Sequence, residues 1–278
     1  MRKGLIVLTL AAATLVLSSC GAGSAAGGEK PPNQEYESEE AGYDSSSEIG
    51  YTNEYSYEYA TEHPAYLEEN NMNTEEINCW GDSITEGYGS DGLTYPDVLE
   101  ELTGIPVRNL GVGGEDSVDI LKRSAAYGSQ EEDILVIQMG DNGGWINLGQ
   151  LIRQYRKLIS KAGTDRYIII SSTDDPNDFE QIWGYTTEPV GLADTWYEAE
   201  LREAFGEHLF VARKYLVEKG LEVTGLTETE EDRERAAFGL ISLQFREPEL
   251  DNTHLNAAGY TATAHGIYEL GQQLGYWK

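Results

Sequence analysis

Two runs of uninterrupted apolar residues constrain the fold of this 278-residue chain more than any other feature. They are "ILVI", within residues 133–140, and "YIII", within residues 166–173. Neither run alternates with polar residues, so both faces of each strand must be covered, as they are in a parallel sheet with helices on both sides. The sequence therefore predicts a buried parallel sheet at the centre of the fold.

Strand and helix patterns alternate along the part of the chain from residue 77 onward. The predicted strands are residues 77–82, 106–111, 133–140, 166–173 and 208–212. The predicted helices are residues 94–104, 118–127, 148–162, 196–205, 213–220 and 256–274. This alternation is typical of an α/β fold with right-handed crossovers. We expect a three-layer α/β/α sandwich with a mainly parallel five-stranded sheet.

Polar and glycine-rich segments follow three of the predicted strands, and a fourth precedes the last helix. The segments are residues 81–83, 109–117, 140–142 and 251–260. In open α/β sheets, ligands bind in the loops beyond the carboxyl ends of the strands. We therefore expect these segments to gather at one edge of the sheet and to form the functional site.

The four segments contain the parts of an acyl-transfer site. A serine hydroxyl needs a nearby base to become a nucleophile, and His254 can serve Ser83 near neutral pH. Asp251, three residues before His254, can orient the imidazole. The backbone N–H groups of Ser83 and Gly114 and the side-chain amide of Asn142 are candidate donors to an oxyanion. Gly114 suits this role because it lacks a Cβ that would keep a substrate away.

The same segments resemble the sequence blocks of the SGNH hydrolases, also called the GDSL esterase/lipase superfamily. "GDSIT", "NLGVGG", "GDN" and "DNTH" resemble the four blocks in the family's order. The resemblance implies a flavodoxin-like SGNH fold and a serine esterase in which Ser83, Gly114, Asn142, Asp251 and His254 have the roles given above. One position departs from the pattern, because Gly143 stands where the family usually has an aspartate. This departure bears on how the loop is anchored rather than on catalysis.

Other site classes find less support in the sequence. "GYGSDG" at residues 87–92 matches the dinucleotide pattern GxGxxG, but its glycines begin several residues after the strand. The nucleophile-elbow pattern GxSxG does not occur. The four histidines are dispersed and HExxH is absent, so we expect no metal and no cofactor. We interpret His208 and His265 as structural residues and Cys79 as a small buried hydrophobic residue.

The first 20 residues resemble a bacterial lipoprotein signal. Arg2 and Lys3 precede an uncharged run at residues 4–17, which is shorter than the roughly 20 residues of a membrane-spanning helix. "LSSC" at residues 17–20 resembles a lipobox, which would make Cys20 the lipidated N-terminus on the extracellular face of the cell membrane. The alternative is an ordinary secreted protein. With Cys20 lipidated, Cys79 has no partner for a disulfide.

Residues 21–75 are predicted to form a disordered acidic tether ahead of a hydrolase domain at residues 76–278. The stretch from residue 21 to residue 76 holds fourteen acidic residues against the single Lys30, and it has few aliphatic side chains. The chain as a whole has a formal charge of −30, of which −19 falls from residue 77 onward. Such a charge excludes nucleic acid as an expected partner. We expect the tether to act as a plain spacer, and the alternative is that its tyrosines bind cell-wall glycan or a partner.

One polar and aromatic segment of the sequence bears on the substrate. Residues 173–196 are polar and aromatic, and we expect them to form a loop over the site. Trp183, Tyr185 and Trp196 could stack on sugar rings, although each could equally be buried. We expect an esterase that removes O-acetyl groups from carbohydrate. A lysophospholipase or thioesterase and a non-catalytic glycan-binding lipoprotein are the alternatives, and the absence of a long apolar lid helix favours short acyl groups.

Overall fold

The computed structural model describes residues 75–174, 191–247, 251 and 253–278. The predicted signal segment with Cys20, the tether up to residue 74, and Trp183 and Tyr185 lie outside these residues. Among the described residues, no helix is both long enough and apolar enough to cross a membrane.

Five parallel strands form a single sheet, as the sequence predicted. They are β1 (Ile77–Gly81), β2 (Val107–Gly111), β3 (Ile134–Ile137), β4 (Tyr167–Ile170) and β5 (Leu209–Phe210). Their order across the sheet is β2-β1-β3-β4-β5, and Cys79 of β1 is paired with Asn109 on one side and Val136 on the other. The chain crosses to opposite sides of β1 to form β2 and β3. The carboxyl end of β1 is therefore the topological switch point, where such sheets bind ligands.

Helices cover both faces of this sheet. The helices are α1 (Ser83–Glu86), α2 (Tyr95–Thr103), α3 (Ser117–Tyr127), α4 (Leu148–Ala162), α5 (Trp196–Phe205), α6 (Ala212–Tyr215), α7 (Leu221–Thr224), α8 (Glu230–Ala237) and α9 (Ala257–Leu274). A π-helical turn, Leu216–Gly220, joins α6 to α7. Short 3₁₀ turns lie at Gly206–His208 and Leu243–Phe245.

Alternate residues of the strands enter two separate cores, which is the physical basis of the three layers. Ile77, Cys79 and Val136 belong to the core that α2 and α9 cover. Trp80 and Ile137 belong to the core that α3, α4 and α5 cover. The expected three-layer α/β/α arrangement is therefore confirmed.

Two glycines allow α1 to lie directly against the ends of β1 and β2. A Cβ at Gly81 would lie 2.0 Å from Thr85 Oγ1, and a Cβ at Gly111 would lie 2.1 Å from the backbone nitrogen of Glu86. Any larger residue would push the helix away from the sheet. These glycines thus fix the position of the helix that Ser83 begins.

The structure contains two helices that were not predicted from the sequence. The first is Ser83–Glu86, which Gly87, with φ of 93°, ends. The short helix was missed because four residues are too few to show a helical period. The polar helix α8 was also missed, since only Asp232 of its eight residues is buried.

Candidate active site

The turn at the carboxyl end of β1 presents Ser83. Asp82 is the N-cap of α1, and its Oδ1 accepts a hydrogen bond from the Ile84 N–H at 3.0 Å. Capping of this kind satisfies one of the N–H groups that have no partner within the helix. Ser83 is consequently the first residue of α1, and it remains partly exposed at the sheet edge.

The structure brings Ser83, His254 and Asp251 into direct contact. His254 Nε2 lies 2.8 Å from Ser83 Oγ, and His254 Nδ1 lies 2.7 Å from Asp251 Oδ2. A carboxylate can only accept hydrogen bonds, so a neutral His254 carries its proton on Nδ1 and its Nε2 accepts from the Ser83 hydroxyl. This arrangement can move a proton from Ser83 to His254 while Asp251 holds the ring.

Asp251 is held in its ionised form by the loop that contains it. Burial alone would raise its pKa, but the backbone N–H of His254, the His254 imidazole and the Thr253 N–H all donate to the carboxylate and lower the pKa below its usual value. The two backbone bonds reach Asp251 Oδ1 at 2.8 and 2.9 Å. The carboxylate can therefore stabilise an imidazolium at His254 without taking up the proton itself.

A buried arginine holds the loop of His254 in place. Arg246 Nη1 donates to the carbonyl of Thr253 at 2.7 Å and to that of His254 at 3.4 Å. Its Nη2 donates to Asp174 Oδ1 at 2.6 Å, and Asp174 Oδ2 accepts from the Ile241 N–H at 2.8 Å. Both side chains are almost completely buried. This pair could not be predicted from the sequence, because an arginine and an aspartate 72 positions apart show no pattern.

The loops after β2 and β3 place Gly114 and Asn142 at the exposed rim. Gly114 has a φ of 79°, and a Cβ there would meet no atom within 4 Å. Asn142 Nδ2 donates to the carbonyl of Glu115 at 3.1 Å, which links the two loops. An asparagine amide has two hydrogens, so this bond leaves one for another acceptor.

Side-chain hydrogen bonds to Gly143 and Gly144 anchor the loop after β3, where the sequence resemblance led us to expect an aspartate at position 143. The Ser117 hydroxyl donates to the Gly143 carbonyl at 2.9 Å, and Gln154 donates to the Gly144 carbonyl at 2.8 Å. On the sheet side, Gln138 Nε2 donates to Asp141 Oδ2 at 2.8 Å. Helices α3 and α4 therefore hold this loop, and the bond between Gln138 and Asp141 connects two residues within it.

Asp82 is a buried acid directly behind Ser83. Burial, and then the nearby charge of Asp141, raise the pKa of Asp82 well above its usual value. Asp82 Oδ2 and the neighbouring Gln138 Oε1 have no hydrogen-bond partner within the described part of the chain. Both atoms are hydrogen-bond acceptors, and a proton on the Asp82 carboxyl group would supply the donor that they lack.

Other residues from the sequence analysis have structural roles. Trp196 begins α5 and packs partly buried against the second core, which favours packing over sugar stacking. His208 Nδ1 lies 3.0 Å from the Tyr167 carbonyl and 3.0 Å from the Tyr276 hydroxyl. Cys79 is buried, and burial raises the pKa of its thiol, so it is not a nucleophile.

Comparison with known proteins places this site in a recognised sequence family. Residues 79–262 match the GDSL-like Lipase/Acylhydrolase family, which is more than half of the chain. No curated protein matches the chain.

Three solved structures are similar to the chain. One is a protein described as lipolytic and of the G-D-S-L family, from Desulfitobacterium hafniense DCB-2, at 15% identity and a TM-score of 0.47, covering 71% of this chain and 99% of that one. A possible lipase from Chitinophaga pinensis DSM 2588 has 16% identity and a TM-score of 0.45, covering 72% and 98%. AlinE4, an SGNH-hydrolase family esterase, has 22% identity and a TM-score of 0.33, covering 41% and 71%.

Proposed function

The chain belongs to the GDSL-like lipase/acylhydrolase family, and we propose that it is a serine esterase of the SGNH type that removes short acyl groups, such as O-acetyl, from carbohydrate. One observation carries this proposal. His254 lies between Ser83 and Asp251, with its two ring nitrogens 2.8 Å from the hydroxyl and 2.7 Å from the carboxylate. This is the geometry that converts a weak hydroxyl nucleophile into a strong one.

In the acylation step, Ser83 Oγ forms a bond to the ester carbonyl carbon while its proton passes to His254 Nε2. The carbonyl oxygen becomes an oxyanion, which the N–H groups of Ser83 and Gly114 and the Asn142 amide would stabilise. Collapse of this intermediate breaks the bond to the alcohol oxygen. His254 returns its proton to that oxygen, so the alcohol leaves neutral and the acyl group stays on Ser83.

Deacylation repeats these steps with water as the nucleophile. His254 takes a proton from water, the hydroxide oxygen attacks the acyl carbon, and the same donors hold the second oxyanion. The bond to Ser83 Oγ then breaks, and His254 gives the proton to the serine. The products are a carboxylic acid and the free enzyme, and no external oxidant or reductant is needed.

The rim of the site favours an ester with a short acyl group and a hydrophilic alcohol. Gly114 and Asn142 are exposed, and Glu86 on α1 is a solvent-facing carboxylate at the same edge. An apolar chain of many carbons gains most when it is buried against apolar side chains. A polar and open rim has little apolar surface for such a chain, whereas its polar groups suit a sugar.

A panel of p-nitrophenyl esters tests the substrate class. We expect kcat/KM to be highest for acetate and to fall as the acyl chain lengthens, and we expect acetate release from acetylated glycans. Ser83→Ala serves as the inactive control for both assays. Hydrolysis that rises with chain length, or cleavage of lysophospholipid without acetate release from glycan, would support a lipolytic hydrolase instead.

We further propose that Cys20 carries a lipid anchor that holds the enzyme at the cell surface. Support comes from the sequence alone, namely the short uncharged run at residues 4–17 and the "LSSC" segment that ends it. Labelling of cells with an alkyne fatty acid should mark the wild type and not Cys20→Ala. A wild-type protein recovered unlabelled from the culture medium would indicate ordinary secretion.

A further inference from the structure

Glu86 and Tyr88, which follow the nucleophile in the chain, take no part in the chemistry described above. A Cβ placed at Gly113 would lie 2.6 Å from Glu86 Oε2 and 3.8 Å from Ser83 Cβ. The carboxylate of Glu86 and the side chain of Ser83 are therefore both close to Gly113. Gly113 directly precedes Gly114, so the same carboxylate lies beside the expected position of the oxyanion.

The aromatic ring of Tyr88 lies against the imidazole of His254. Their ring centroids are 4.7 Å apart with planes inclined at 68°. The Tyr260 hydroxyl donates to the Tyr88 carbonyl at 2.9 Å, which fixes the backbone that carries the ring. Tyr88 is 51% exposed to solvent. An aromatic surface is thus presented at the entrance to the site, next to the residue that exchanges protons with the substrate.

Two arginines near this edge form ion pairs with other acidic residues. Arg123 binds Glu115 at 2.6 Å and also donates to the Leu110 carbonyl. Arg246 binds Asp174. Glu86, by contrast, forms no ion pair within the described ranges. Among the residues that the structure describes, no basic side chain therefore neutralises its charge at the site.

An uncompensated carboxylate beside an oxyanion hole raises the energy of a developing negative charge. The cost disappears when the substrate brings its own positive charge to the carboxylate. A cation is also attracted to the face of an aromatic ring within about 6 Å. Glu86 lies near Ser83 and Tyr88 lies against His254, so both residues lie next to the same catalytic pair and together favour a substrate with a cationic group.

We propose that Glu86 and Tyr88 form a subsite for an ammonium group on the alcohol part of the ester. The proposal rests on the esterase function proposed above and names the class of alcohol that this site prefers. An amino sugar with a free amine and an alcohol with a quaternary ammonium group share this chemistry.

Two esters of nearly the same shape test the subsite. Acetylcholine carries a quaternary ammonium group, and 3,3-dimethylbutyl acetate replaces its nitrogen by carbon. We expect wild-type kcat/KM to favour acetylcholine about tenfold at low ionic strength, the size of a partly exposed charge contact plus a cation–π contact. Added salt should reduce the preference.

Variants of the two residues identify the source of the preference. Glu86→Gln should lower the acetylcholine preference to about threefold or less, and Glu86→Lys should make the neutral ester the better substrate. Tyr88→Leu should also reduce the preference. Glu203→Gln is the matched control, because Glu203 is also an exposed glutamate on a helix, α5, and the preference of this variant should equal that of the wild type.

The outcomes separate this proposal from the esterase function itself. Equal kcat/KM for the two esters in the wild type, or a preference that survives Glu86→Lys, overturns the subsite while esterase activity stands. Failure to hydrolyse p-nitrophenyl acetate and both esters overturns the esterase function, and the subsite proposal with it. A preference that Glu86→Gln weakens and Glu203→Gln leaves intact supports the subsite.

Discussion

His254 Nε2 lies 2.8 Å from Ser83 Oγ, although 171 positions separate the two residues in the chain. Ser83 is delivered by the turn at the end of β1, and His254 is delivered by the loop that leads into α9. The turn after β1 and the loop before α9 must therefore be placed accurately relative to each other for this hydrogen bond to form.

The Asp251→Asn substitution should remove most of the activity with little change in stability. The asparagine Oδ1 can still accept the Thr253 and His254 N–H groups, but its Nδ2 would face His254 Nδ1 with a donor. The imidazole would then carry its proton on Nε2 and could not accept from Ser83. We expect kcat for p-nitrophenyl acetate to fall about 10³- to 10⁴-fold. A fall of less than tenfold would show that Asp251 does not set the tautomer.

Arg246 should act as a positioning residue for the His254 loop. Arg246→Lys keeps the charge beside Asp174, but a lysine cannot also reach the Thr253 carbonyl in the same geometry. We expect kcat to fall about tenfold with KM unchanged, whereas Arg202→Lys, at an exposed ion pair, should leave both unchanged. Arg246→Ala should cost about 3 kcal/mol of stability, because Asp174 loses its closest buried partner. Full kcat in Arg246→Lys would assign Arg246 to stability alone.

Asp82→Asn should change how stability depends on pH. In the folded protein the pKa of Asp82 is raised, so above its ordinary value of 3.8 the unfolded chain loses this proton while the folded chain keeps it. Stability is therefore lost as the pH rises from about 4, and no loss is present below that value. The amide of an asparagine mimics the protonated acid. Chemical denaturation should show the variant more stable than the wild type at pH 8 and equal to it near pH 3.5.

Gly111→Ala should disturb both stability and activity. The added Cβ would lie 2.1 Å from the Glu86 nitrogen, so α1 must move away from the sheet and take Ser83 with it. Overpacking of this kind costs about 2 to 3 kcal/mol. The control is Gly149→Ala in α4, where the added Cβ has only ordinary contacts and should stabilise the helix by about 0.5 to 1 kcal/mol. Equal melting temperatures for the two variants would contradict the close approach of α1 to β2.

The sheet and most of the helices were predictable because their signals are local. The uninterrupted apolar runs of β3 and β4 identify strands covered on both faces, and α4 was predicted with both ends correct. The predicted strands extended past the observed ends at Ile137 and Ile170. Beyond these residues the chain leaves the sheet to form the loops of the site, and composition does not show where pairing ends.

The candidate site was predictable as a set of residues but not as a supported structure. Ser83, Asp251 and His254 lie in short sequence blocks, and the α/β fold predicted from the sequence places these blocks at one edge of the sheet. Arg246 and Asp174 meet only after folding, because each is an ordinary charged residue in its own segment. The contact of Tyr88 with His254 was missed for the same reason. Long-range polar contacts of this kind have no sequence period.

Reaction with a fluorophosphonate, followed by intact mass measurement and peptide mapping, tests whether Ser83, activated by His254, is the nucleophile. We expect one phosphonyl group per chain, located on Ser83, no adduct in Ser83→Ala, and a much slower reaction in Asp251→Asn. An adduct on a different residue, or full p-nitrophenyl acetate hydrolysis by Ser83→Ala, would show that another group is the nucleophile.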